Sequence, residues 1–177
     1  MKKFKLLLLD ANVVIQVFKL GLWARLVDRC DVWLAATVVQ EAAFFTSEEG
    51  TPHTIDLSQD IAENRVSTFE LTPSQLSEFK ASFDPSYLEK LDDGETESLA
   101  HLINSTDRYL ICSADKIVYR ILGNLNRNEQ GISLEEILQQ VGLGVALPRP
   151  FTKSYRRECT GRGFEEGLGG IGHKKQN

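Results

Sequence analysis

The chain has 177 residues, enough to bury one substantial core and about the size of a single domain. Its 42% hydrophobic and 25% charged residues are the balance of an ordinary folded protein and argue against a disordered or fibrous one. A net charge of -5 speaks against a simple polyanion binder, and three cysteines with no CxxC pair (Cys30, Cys112, Cys159) speak against a disulfide framework or zinc knuckle.

The charge is unevenly spread. Seven of the 20 basic residues and three of the 25 acids fall within 148–177, leaving 13 bases against 22 acids in residues 1–147. Two segments are therefore expected: a body over 1–147 and a basic, glycine-rich tail over 148–177. An acidic body opposes phosphate binding unless a cation neutralises its carboxylates.

Phe4 to Leu9 is an apolar stretch of the kind covered on both faces in a parallel sheet. Its run Leu6–Leu9 is far shorter than the ~20 residues of a membrane span. It also follows Met1-Lys2-Lys3 too closely, and reaches an acid too soon, for a secretory signal. A buried strand of a cytoplasmic protein is expected. Helices follow over Asn12–Leu20 and Gly21–Arg29, then a strand over Val32–Ala36. Thr37-Val38-Val39-Gln40 has the form of a capping box and predicts a helix start. Thr46–His53 reads as a loop, Ser58–Asn64 as a short helix, and Val66–Leu71 as a strand. Thr72-Pro73-Ser74-Gln75 is a second capping box, opening a helix to about Phe83. Asp84–Asp93 is a connection, and Gly94 opens a helix to Asn104. Tyr109–Cys112 is a further strand and Asp115–Leu122 a helix, and a third capping box at Ser133 starts a helix to Val141. Short apolar strands alternating with helices imply an α/β fold with a mostly parallel sheet.

In such sheets ligands bind beyond the carboxyl ends of the strands, where the winding reverses. Asp10 stands just past the first strand. Glu41 lies in the helix after the second, Glu95 at the start of the helix before Tyr109–Cys112, and Asp115 just past that strand. At 3.6 residues per turn, Glu95 shares a face with Leu99 and Leu102, whereas Glu97 falls opposite and is expected to be more exposed. Each acid also has a plain alternative. Asp10 and Asp115 are placed to cap helices, Glu41 to be a solvated helix acid, and Glu95 and Glu97 to favour a helix N-terminus through the macrodipole. Gathered together, the four would repel: two carboxylates 4 Å apart cost about 1 kcal/mol in water and about 4 at an effective dielectric of 20. All-oxygen donors suit Mg²⁺ or Mn²⁺, which orient a phosphodiester and activate water.

The segments Leu8-Leu9-Asp10-Ala11-Asn12-Val13-Val14-Ile15, Thr37-Val38-Val39-Gln40-Glu41-Ala42, Leu91-Asp92-Asp93-Gly94-Glu95-Thr96-Glu97-Ser98-Leu99-Ala100 and Ile111-Cys112-Ser113-Ala114-Asp115 together resemble the PIN-domain nucleases. The resemblance runs from about Phe4 to Leu125. It implies a three-layer α/β/α sandwich, a Mg²⁺- or Mn²⁺-dependent acidic site and single-stranded RNA as substrate. Asp10, Glu41, Glu95 and Asp115 match the catalytic, metal-binding acids of that family, with Asn12 and Ser113 in supporting positions. Glu97 is a second candidate for the third acid. Many such proteins are toxins held by an antitoxin protein, and many are homodimers, so both partners are expected. The competing expectation is an inactive PIN-like module that binds RNA or protein. A haloacid-dehalogenase phosphotransferase would need an aspartate where Asn12 stands.

Two further features stay open. Arg120 is either a phosphate contact or a solvent-facing arginine. Phe151, Tyr155, Arg156, Arg157 and Phe164 mix aromatics and bases as single-stranded nucleic-acid surfaces do. Six glycines among the twelve residues Gly161–Gly172 point instead to a tail with no packed core of its own, disordered or partner-bound.

Overall fold

In the computed structural model, which describes residues 4–174, the first apolar run is strand β1 (Phe4–Leu9). Helices α1 (Ala11–Lys19) and α2 (Trp23–Arg29) follow, then β2 (Cys30–Ala35) and α3 (Ala36–Glu41). A hairpin of β3 (Phe44–Thr46) and β4 (Pro52–Thr54) leads to α4 (Ser58–Ala62), β5 (Val66–Phe69), α5 (Pro73–Ala81) and α6 (Pro85–Leu88). The chain then forms α7 (Asp93–Asn104), β6 (Ile111–Cys112), α8 (Lys116–Asn124), α9 (Leu134–Gln140) and α10 (Lys153–Leu168). Among these described residues no helix is long and apolar enough to cross a membrane.

Four strands make one parallel sheet in the order β5-β2-β1-β6, so the fold is mixed α/β as the alternation predicts. From β1 the sheet grows toward β2 and β5 on one side and toward β6 on the other. The winding therefore reverses between β1 and β6, the position beyond whose carboxyl ends open parallel sheets form their ligand crevice. The two ends are tied where the Asp10 N–H donates to the Cys112 carbonyl at 3.2 Å. Adjacent residues of β6 belong to different apolar clusters, as the alternation of side chains along a strand requires. Cys112 joins Val13 and Val17 of α1, Leu26 of α2 and Leu138 of α9. Ile111 joins Leu99 and Leu102 of α7 and Ile117, Val118 and Leu122 of α8.

Local signals account for most boundaries. The boxes at Thr72 and Ser133 both close, each side chain accepting from the backbone of the third helical residue and receiving its partner in return. The box expected at Thr37 does not form. Strand β2 runs straight into α3, so the cap position falls on Ala35, which has no side chain to offer. The segment Thr46–His53, expected to be a loop, is the turn and inner edges of the β3–β4 hairpin. Within the connection Asp84–Asp93, Asp84 caps the short α6.

The largest departure is the tail. Its glycines were expected to leave it disordered or partner-bound, yet α10 is a sixteen-residue helix laid along α8. The glycines are what permit the contact. A Cβ on Gly163 would lie 1.9 Å from the Arg120 carbonyl oxygen, so the two backbones approach as only glycine allows. Ion pairs flank this seam. Arg156 grips Glu136 of α9 through two hydrogen bonds of 2.8 and 2.9 Å, and Arg120 grips Glu166 at 2.5 and 3.0 Å while Tyr87 donates to the same carboxylate at 2.7 Å. Arg120 is thus neither a phosphate contact nor a free surface arginine. Beyond α10 the chain pairs back on the α5–α6 connection, Asp84 N–H donating to the Gly172 carbonyl and Lys174 N–H to that of Ser82, both at 2.8 Å.

Two glycines two positions apart test this packing with opposite signs. Gly161 faces open space, so Gly161→Ala gains helix propensity and raises stability by up to about 1 kcal/mol. Gly163→Ala lowers it by about 1–3 kcal/mol through overpacking. At about 2–4 °C per kcal/mol for a chain of this size, calorimetry resolves both shifts. A tail detached from the body would leave both melting temperatures unchanged.

Candidate active site

Asp10 is the residue at the crevice. It follows β1 directly, caps α1 by accepting the Val13 N–H at 2.7 Å through Oδ1, and is 5% exposed. Its Oδ2 accepts the Ala114 N–H at 2.9 Å and the Ser113 hydroxyl in a short hydrogen bond. Ser113 and Ala114 stand just past β6, so the hydrogen bonds of Asp10 join the carboxyl ends of both central strands.

Ser113 is the hub of the cluster. Its Oγ accepts the Asp115 N–H at 2.8 Å and lies 3.3 Å from Glu95 Oε1. A hydroxyl has one proton. While it is given to Asp10, the contact to Glu95 is a hydrogen bond only when Glu95 itself is protonated. The Ser113 backbone is held by Tyr119, a fully buried residue of α8 whose hydroxyl accepts the Ser113 N–H at 3.1 Å and lies 2.8 Å from its carbonyl oxygen.

Glu95 enters from α7. Helical phase places it inward with Leu99 and Leu102, and it is 3% exposed. The helix begins one residue before Gly94, because Asp92 caps it. Asp92 Oδ1 accepts the Glu95 N–H at 2.7 Å, and Glu95 Oε2 accepts the Asp92 N–H at 3.4 Å. Burial pushes the Glu95 carboxyl up to about 8, assisted by the charges of Asp92, Asp10 and Asp115. Burial also raises Asp10, to about 6, against the pull of its hydrogen bonds from Ser113, Val13 and Ala114, with the charge of Asp92 adding to the rise.

Glu41, the last residue of α3, stands one step outside this buried group and is exposed overall. Its carboxylate leans over Gly94, where a Cβ would sit 2.8 Å from Glu41 Oε2 and equally close to Val38 Cγ2. Its pKa is raised by burial of the carboxylate and then by Asp92, Asp93 and Glu97, while the Gly94 N–H lowers it. Glu97 is more exposed than Glu95, as its phase predicts. It is half-buried, its charge is felt at Glu41, and its Oε2 has no hydrogen-bond partner among the described residues. Asp115 caps α8 by accepting the Ile117 N–H at 3.0 Å. Asn12 is exposed on the first turn of α1 and takes no part in the cluster's hydrogen bonds.

The structure thus brings Asp10, Glu95, Ser113 and Asp115 together, sets Glu41 and Glu97 beside them, and leaves Asn12 apart. Two residues escaped the sequence reading. Asp92 acts on Asp10, Glu41 and Glu95 alike. Its signal was the Asp92-x-x-Glu95 capping box. Tyr119 had no such signal, since a tyrosine in an apolar helix reads as core.

Among the described residues no group of three or more His, Cys, Asp or Glu side chains is arranged to hold a metal ion as it stands. The donor set nevertheless suits a hard divalent cation: it is all oxygen, the charges of Asp92, Asp10 and Asp115 raise the buried Glu95 carboxyl, and Glu97 Oε2 is unpartnered among the described residues. The chain matches no protein-family model, no curated protein and no solved structure.

The raised carboxyls fix the pH dependence of the cation-free protein. Between about 4.5 and about 8, folded Glu95 keeps a proton that the unfolded chain has lost, so stability falls as pH rises through that window. Asp10 contributes in the same sense, but only up to about 6. In chelator, the melting temperature should drop by at most about 3–5 °C per pH unit for each of the two groups. Glu95→Gln should remove the dependence above about pH 6.5. Equal slopes in the two proteins would contradict the assignment.

Proposed function

We propose that the protein is a Mg²⁺- or Mn²⁺-dependent endoribonuclease of the PIN type, cleaving single-stranded RNA in the cytoplasm. One observation carries the reading. The buried acids Asp10, just past β1, and Glu95, in the first turn of α7, meet at the Ser113 hydroxyl, which also accepts the backbone N–H of half-buried Asp115, at the point where the sheet reverses. The four sequence segments that resemble PIN nucleases contain those acids. Helices against both faces of the sheet would make the architecture the three-layer α/β/α sandwich of that family.

In this reading Asp10, Glu95 and Asp115 hold the cation, with Glu41 on the open side and Asp92 adding negative charge. When bound, the cation would supply the positive charge that aligns the phosphodiester and activates water. The protein's part is preorganisation. Val13, Ser113 and Ala114 donors fix the Asp10 carboxylate, the Asp115 N–H fixes the Ser113 hydroxyl, and Tyr119 fixes the loop that carries both. A toxin restrained by an antitoxin, working as a homodimer, is the biological setting the resemblance supports. One observation favours the alternative of an inactive binding module: both Asp10 oxygens already accept hydrogen bonds from the protein.

The cleanest variant is Glu95→Gln. Asp10→Asn would aim an amide NH₂ at the Ala114 N–H and confound loss of charge with loss of a hydrogen bond. Wild type should cleave labelled single-stranded RNA with Mn²⁺ or Mg²⁺, and Glu95→Gln should lose about a hundredfold or more in kcat. Mn²⁺ should also raise the wild-type melting temperature as RT ln(1 + [L]/Kd) dictates, and raise the variant's much less. If wild type shows neither cleavage nor cation stabilisation, the binding module is the correct reading.

A further inference from the structure

The tail's bases were left unassigned by the site, and the packing of α10 shows where they go. Gly163 abuts Arg120 and Gly167 abuts Asn124, so α10 runs alongside α8 in the same direction. Carried back in that register, Cys159 stands opposite Lys116, and the first turn of α10 overhangs the N-terminus of α8 at Asp115. The electrostatics agree with this placement. The charge of Lys116 is felt at Cys159, and the Tyr155 hydroxyl is raised to about 12 by burial first, then by Cys159 and Asp115.

The aromatic and basic residues of the tail divide by task. Arg156 is nearly enclosed and spent on Glu136, so it serves the fold. Phe164 lies two turns further along α10, against Gly123. Arg149 is different. Its guanidinium lies over the Tyr155 ring, 5.1 Å from the centroid, and its ion pair with Glu158 leaves the two side chains 65% and 67% exposed. An exposed pair of this kind holds its partners weakly. Lys153 is 54% exposed at the same end and makes only a 3.7 Å contact with Glu136, already held by Arg156, while Lys116 and Arg157 are exposed and neither of those two has an ion pair among the described residues.

We infer that Arg149, Lys153, Lys116 and the Tyr155–Arg149 stack form the surface along which single-stranded RNA enters the acid crevice, the bases of the protein taking phosphates and the stack taking a nucleobase. This rests on the nuclease reading and names its substrate-binding wall. Cation plus aromatic is the combination that holds single strands without regard to sequence. The position resolves the charge problem of an acidic body, since the basic segment is brought beside the carboxylates. An acidic protein segment would use the lysines and arginines but would have no need of the stack.

The test measures binding of a fluorescein-labelled oligouridylate by anisotropy, in the full chain carrying Glu95→Gln so that the probe survives. Adding Arg149→Ala and Lys153→Ala, both on exposed side chains, should leave the melting temperature unchanged and weaken binding about tenfold at 0.1 M salt. The slope of log K against log salt should become shallower by about 1.4, for two phosphate contacts at about 0.7 each. Equal affinity and slope in the two proteins would overturn the inference, as would a parent that binds polyglutamate and not oligouridylate. If wild type cleaves RNA and the Arg149→Ala/Lys153→Ala protein does so with unchanged KM, the wall is wrong and the nuclease reading stands. If wild type neither cleaves nor binds, both fall.

Discussion

Two carboxylates buried side by side, Asp10 and Glu95, set the terms for everything around them. Removing one carboxylate from water is costly, and placing a second within reach adds a repulsion that the protein interior does not screen. Asp10 is accommodated by three donors drawn from α1 and from the loop after β6. Glu95 has a capping contact with Asp92 and a hydroxyl already committed to Asp10, and burial together with the charges of Asp92, Asp10 and Asp115 raises its carboxyl further.

The surrounding structure reads as a support for that pair. The crevice exists because β1 lies between strands that grow in opposite directions. Ser113 reaches both acids because β6 is short and ends level with Asp10. Tyr119 holds the Ser113 loop from beneath, and Gly94 lets α3 close on α7 so that Glu41 and Glu97 add their charge nearby. The α8 helix that carries Tyr119 is in turn braced along its length by α10. The tail is thereby connected to the site through packing, with its first turn at the edge of the acids.

Much of this was legible in the residues. The apolar run before Asp10, the phase of Glu95 with Leu99 and Leu102, and the boxes at Thr72 and Ser133 are local signals with one physical meaning each. What was not legible depended on distant partners. Thr37 had the right spacing for a cap, but the position was set by where β2 ends. Glu97 is more exposed than Glu95 as its phase implies, but its half-burial beside the packed α3 could not be read from its own helix. His101 of α7 is half-buried with its ring stacked 4.0 Å from that of Phe69, a partner from β5 that its own helix does not announce. The six glycines of the tail suggested disorder because composition cannot reveal a neighbouring helix close enough to require two of them, Gly163 and Gly167.

The most direct test of the central claim is to locate a cation. Crystals grown with Mn²⁺ should give an anomalous peak in the crevice, coordinated by carboxylate oxygens of Asp10 and Glu95, with Asp115 or Glu41 completing the protein's share. A peak absent from the crevice at saturating Mn²⁺, with Glu95 still hydrogen-bonded to Ser113, would contradict the account and leave the buried acids a structural feature of the fold.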